Sequence, residues 1–187
     1  TGLEAVSYLA VGGSGLLPAT RVVGLTLGET GAIVDLDHQP RTILLQESYT
    51  DPVVMAQPAS SNGADPVIVR VSDVQPDRFT VYLQEPSNLN GIHGGEKVSY
   101  LVMEAGIWQL ADGTLVEAGS VSTSATVGKQ LTDEWETVSL LADFGDPPVI
   151  LSQVQRSNDL SFVKTRQQNI SASGFQVALE GCLLYTS

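Results

Sequence analysis

Phe79-Thr80-Val81-Tyr82-Leu83 alternates apolar and polar side chains between turn-forming residues, and Phe175-Gln176-Val177-Ala178-Leu179 reproduces the run near the other end of the chain. A period of two marks a strand with one buried face. In both places an arginine, Arg70 or Arg166, precedes the phenylalanine by nine residues. Further out, Tyr49-Thr50-Asp51-Pro52-Val53 recurs 95 residues later as Phe144-Gly145-Asp146-Pro147-Pro148-Val149. Thr42-Ile43 recurs as Thr137-Val138, and Glu4 with Val6-Ser7-Tyr8-Leu9 recurs 92 residues later as Glu96 with Val98-Ser99-Tyr100-Leu101. Matched spacing at separated places marks an internal repeat, with a period of about 93 residues.

The phase of the repeat divides the 187 residues. Residues 1–20 read as the closing strand of a preceding unit plus a linker, and 21–105 as a complete unit. Residues 106–118 read as a linker hairpin and 119–180 as a second unit without its closing strand. Glu4–Val11 is expected to fill that vacant edge. The alternative is one domain with internal pseudo-symmetry. The last seven residues, Gly181–Ser187, break the pattern and resemble a translated sequencing adapter.

Every segment between turns has strand character. Val67 to Val71 and Val98 to Val102 alternate like the two opening runs, at intervals of about ten residues, which suits antiparallel sheets. Asn62-Gly63, Asn90-Gly91, Asp112-Gly113 and Ser173-Gly174 are turn pairs, Asp112-Gly113 being the clearest hairpin. No segment carries a sustained helical stripe with caps. With Val67, Val69 and Val71 turned inward, Arg70 is expected on the solvent face.

Composition narrows the function. Hydrophobic residues make up 42% and charged residues 16%, enough for a buried core, and nothing approaches a membrane-spanning apolar run. Nine basic against 21 acidic residues give a net charge of −12, which disfavours nucleic acid and anionic membrane partners. Two histidines and the single Cys182 leave little for a metal cluster or nucleophilic triad. Asp51/Asp146 and Glu4/Glu96 recur between units, which suits a structural task better than a glycosidase pair. Glu96 is expected as a solubilising edge charge. The loops at Asn62 to Asp65 and Asn158-Asp159 offer oxygens for calcium without any calcium-loop pattern. No cofactor or catalytic residue is expected.

The order of motifs resembles the H-type lectin domain in a tandem, bacterial-type form. The resemblance is carried by Val116 to Val121 with Gly119, Trp135-Glu136-Thr137-Val138, Phe144 with Pro147-Pro148-Val149, Arg166, Gly174-Phe175-Gln176-Val177, and the closing run Glu96 to Leu101. It implies an all-β fold of antiparallel β-sandwiches in tandem, self-association or a trimer, and binding of N-acetylgalactosamine-type glycans. Arg70 and Arg166 match the family's central-strand arginine, a fork for sugar hydroxyls whose alternative is an exposed ion pair. His93 lies in the loop before the closing strand, where a sugar contact and an exposed turn histidine are both open readings. Ser120 and Ser122 match polar first-strand positions, whereas Leu25 and Leu27 in the first unit do not. Trp108 is a stacking candidate and Trp135 a packing residue. The reading is a non-enzymatic, glycan-binding module of an extracellular or cell-surface protein. The alternatives are a structural or adhesive repeat, or an appendage to a polysaccharide-degrading enzyme.

Overall fold

The computed structural model of the chain describes residues 13–18, 26–110, 112–128, 133–156 and 161–181. Among them are strands throughout and no helix. They are β1 (Gly15–Pro18), β2 (Thr26–Leu36), β3 (Arg41–Leu44), β4 (Pro52–Pro58), β5 (Ile68–Gln75), β6 (Arg78–Gln84) and β7 (Glu96–Glu104), then β8 (Gly106–Gln109), β9 (Leu115–Ala118), β10 (Thr126–Val127), β11 (Glu136–Ser139), β12 (Val163–Ser171) and β13 (Gly174–Gly181). The expected closing strand at Glu4–Val11, the Leu25 position and residues 182–187 lie outside the described residues.

The strands form several antiparallel sheets. One has the order β1-β2-β7-β4 and another the order β3-β6-β5. The apolar faces of both contribute to one core cluster: Ile33, Leu36, Val54, Ala56, Val98 and Val102 from the first, and Val69, Val71, Phe79, Val81 and Leu83 from the second. Val69 and Val71 point inward as their alternation predicts. Phe79 and Tyr100 meet edge to face with centroids 5.4 Å apart. Gly31 lies opposite Tyr100 in the β2–β7 ladder, and the tyrosine ring covers it so closely that a Cβ there would come within 2.3 Å of ring atoms.

Asp112-Gly113 turns the β8–β9 hairpin as expected, Gly113 taking a φ of 93°. In the last sheet β13 carries β12 along one side. Along the other it carries β11 and then β10, whose short pairing is parallel. A smaller cluster, Ala125, Val127 and Ala178, packs there against Trp135, the packing position expected for that residue.

The sheets β3-β6-β5 and β11-β13-β12 share more than their order. Arg70 faces Tyr82, Val71 faces Val81 and Ser72 faces Thr80; with every number raised by 96, Arg166 faces Ala178, Gln167 faces Val177 and Gln168 faces Gln176. Both ladders then slip at a bulge, between Ser72 and Gln75 in one and between Gln168 and Ser171 in the other. The bulges hold Asp73 and Asn169 at φ of 45° and 52°, a left-handed conformation that Asp and Asn tolerate best among residues with a Cβ. A flanking bond matches too. Leu45 N–H donates to the Asp77 carbonyl and Leu140 N–H to that of Ser173; Leu83 and Leu179 N–H both donate outward as well, to carbonyls that do not correspond in the repeat, Asp37 and Ala125.

One stretch departs from this likeness. Residues 147–156 precede β12 as β4 precedes β5, yet they pair in no ladder. β4 is held along its length by β7, and among the described residues no strand takes the place of β7 beside 147–156.

Candidate functional site

The loops at one end of the first two sheets converge on His93. Its ring is buried, with Nδ1 3.0 Å from Glu85 Oε1 and Nε2 3.4 Å from Glu96 Oε1. Both carboxylates are buried as well, and each also accepts backbone N–H groups: Glu85 from Gly91, and Glu96 from Asn62 at 2.7 Å and Gly63 at 2.8 Å. The Ser60 hydroxyl completes the shell of Glu96. The Ser60 hydroxyl first, then the Gly63 and Asn62 amides, hold the Glu96 carboxyl down to about 2. Gly63 is where the ring passes closest, so that a Cβ would fall 2.6 Å from Cε1 and Nε2. His93 is therefore not an exposed turn residue, and Glu96 is not an edge charge. Together they tie the 59–63 loop and the 85–95 loop to the start of β7.

The two matched arginines have different surroundings. Arg70 sits on the face of β5 opposite the core residues Val69 and Val71, but it is only 1% exposed. This corrects the expectation that it faces solvent: alternation gave the right side of the strand, and that side is covered. Arg166 stands at the matching place on β12 with its side chain 57% exposed, 2.6 Å from Glu180 Oε1, while Lys164 lies 3.0 Å from Glu180 Oε2. The Lys164 ammonium and then the Arg166 guanidinium hold the Glu180 carboxyl below the usual range.

Lys164, Arg166 and Gln168 alternate along one face of β12, and Gln168 faces Gln176 across the ladder. Gln176 Oε1 accepts from Gln168 Nε2 at 3.0 Å and, because the bulge turns Asn169 toward it, from Asn169 Nδ2 at 2.7 Å. Beside this amide cluster an open groove of about 320 Å³ is lined by Thr137, Ser139, Asn169, Ser171, Ser173, Phe175 and Gln176 among others, none of them charged. It is a shallow, solvent-open surface groove rather than an enclosed pocket. Neutral hydroxyl and amide groups beside one aromatic suit a hydroxyl-rich, uncharged ligand.

The remaining candidates lie elsewhere. Trp108 is half-buried on β8, its Nε1 donating to the Glu104 carbonyl at 2.9 Å. Ser120 and Ser122 are exposed in the segment after β9, and Leu27 is buried. His93, Arg166 and Trp108 thus belong to three separate surroundings. The sequence alone did not mark Gln168, Asn169 and Gln176 as binding residues. The signal was present in the polar run Gln167-Gln168-Asn169 next to Gly174-Phe175-Gln176, but it takes the ladder register to bring those amides together. Among the described residues no cluster of His, Cys, Asp or Glu is placed to hold a metal ion, and no helix is long and apolar enough to cross a membrane.

No family model matches the chain, and no solved structure matches it. Over 148 residues, 75% of this chain, it is 31% identical to Halomucin of Haloquadratum walsbyi (strain DSM 16790 / HBSQ001), and it spans 2% of that protein's length.

Proposed function

We propose that the chain is a non-enzymatic, carbohydrate-binding module made of tandem β-sandwich units of H-type-lectin-like build, and that it belongs to a larger extracellular protein. The tandem reading is supported by the two three-stranded sheets, which agree in order, register and bulge position. The sandwich reading is supported by a core that draws on two sheets. The extracellular setting is supported by the similarity to Halomucin, named as a mucin, and by the acidic surface. A non-enzymatic role is favoured because Glu29, Glu85 and Glu96, the buried carboxylates among the described residues, all accept bonds from loop amides.

One contrast carries the binding assignment: Arg70 is covered, whereas Arg166 at the matching position is exposed and stands two residues from Gln168 of the amide cluster that borders the neutral groove. Sugar recognition therefore belongs to the second half, on the face of Arg166, Gln168 and Gln176. The first half serves structure, as the competing reading of a purely structural repeat holds for both halves. By resemblance to H-type lectins the ligand is an N-acetylgalactosamine-type glycan. A glycan array probed with the unsubstituted chain, Arg70→Ala and Arg166→Ala tests this. Binding retained by folded Arg70→Ala and lost by Arg166→Ala is expected. Binding that Arg166→Ala leaves unchanged, or none above background in the unsubstituted chain, would sink the assignment.

A further inference from the structure

Among the described residues β4 is an edge strand, paired with β7 on one side only. Such an edge exposes alternate N–H groups and invites pairing with another chain. Here the outward donors are Val54 and Ala56, and the positions two residues beyond them on either side are Pro52 and Pro58, which have no N–H. Both remaining donors are taken, though not by a strand. Val54 N–H donates to Gln155 Oε1, and Ala56 N–H donates to Gln153 Oε1 at 2.6 Å. The two amides are two residues apart on β4, the two glutamines are two residues apart on their segment, and the pairs run in opposite directions, so the spacings match. Gln153 also reaches the other sheet, its Nε2 donating to the Val69 carbonyl on β5 at 3.1 Å. On its far side the same segment is held by β12: Thr165 Oγ1 donates to the Ser152 carbonyl at 2.9 Å, and Gln167 Nε2 donates to Ser152 Oγ.

We propose that the outer edge of β4 with β5 is a docking edge read by side-chain amides, and that its partner is the Ser152–Gln155 segment of the following unit. Ordinary edge recognition adds a strand through main-chain bonds. This edge, cut down to two donors by its prolines, takes a Gln-x-Gln comb instead. One side of the comb grips the first two sheets and the other grips β12, so successive units are clasped rather than joined by a loose linker. The clasp gives Gln153 and Gln155 a partner within a segment that forms no ladder of its own.

Native-state hydrogen exchange on the full chain tests the clasp residue by residue. Val54 and Ala56 amides should be protected in the unsubstituted chain. In Gln153→Ala/Gln155→Ala they should exchange at least 10-fold faster, while Val53 and Met55, which face β7, keep their rates. Gln153→Glu keeps an acceptor for Ala56 but lacks the donor to Val69, and should leave Ala56 protected. Open-edge exchange rates at Val54 and Ala56 in the unsubstituted chain would overturn the proposal. So would rates in the double variant that match the unsubstituted chain.

Discussion

At the scale of single residues, the acidic side chains act mainly as acceptors for loop amides. Glu104 takes the N–H groups of Thr50 and Asp51, Glu117 those of Leu141 and Ala142, and Glu29 that of Gln46. Charge-assisted bonds of this kind are stronger than neutral ones, and with so few cations available they give the carboxylates a use that ion pairing could not. Glu29 also lies near the hydroxyls of Tyr49 and Tyr100; burial, then this carboxylate, pushes the Tyr49 phenol well above its usual range. The Glu96 shift has a definite sign. A folded-state pKa of about 2 against an ordinary value of 4.5 means that its contribution to stability is complete above about pH 4.5 and is lost as the pH falls toward 2. Melting curves of the unsubstituted chain and Glu96→Gln should differ most above pH 4.5 and converge toward pH 2; a gap that stays constant down to pH 2 would refute this. His93→Ala removes the ring hydrogen-bonded between two buried carboxylates, and a loss of about 2 kcal/mol is expected by chemical denaturation. A loss under about 0.5 kcal/mol, the range of ordinary surface substitutions, would show that the cluster does not hold the loops.

At the scale of elements, the bulges at Asp73 and Asn169 and the Asp35 bulge in β2, where φ is 57°, share one device: a left-handed Asp or Asn absorbs the extra residue. Glycine takes that conformation without penalty. Asp73→Gly should therefore stabilise the chain by up to about 1 kcal/mol, and Asp73→Val should destabilise it by at least as much. Equal melting temperatures for the two variants would contradict the bulge assignment. Strands β5, β6, β7 and β13 and the β8–β9 hairpin were legible in the sequence because each is specified locally, by alternation and turn chemistry. The cover over Arg70, the burial of His93 and the missing ladder at 147–156 were not. Alternation tells which side of a strand a residue takes, but what lies against that side comes from segments distant in the chain. Pro147-Pro148-Val149 carries a strand pattern, yet a strand needs a partner, and among the described residues its counterpart of β7 is absent.

At the scale of the whole molecule, the larger core cluster among the described residues lies in the first half. Its core draws on two sheets, whereas the second half has a cluster of three buried residues around Trp135. The 96-residue shift relating their ladders makes the difference informative: at matching positions Arg70 is buried and Arg166 is exposed, although Ala178 opposite Arg166 is itself buried. The net charge of −12 opposes compaction of both halves alike. Raising NaCl from about 0.1 M to about 1 M shortens the Debye length from about 10 Å to about 3 Å, so the melting temperature should rise; a fall across that range would show that the surface charge is not a destabilising term. The open face is where the functional reading stands or falls. The most direct measurement is an NMR titration with N-acetylgalactosamine that follows the side-chain amide signals of Gln168, Asn169 and Gln176. Saturable shifts at those three, with the backbone amides of Asn62, Gly63 and Gly91 unmoved, are the predicted result. No saturable shift, or shifts confined to the loops around His93, would contradict it.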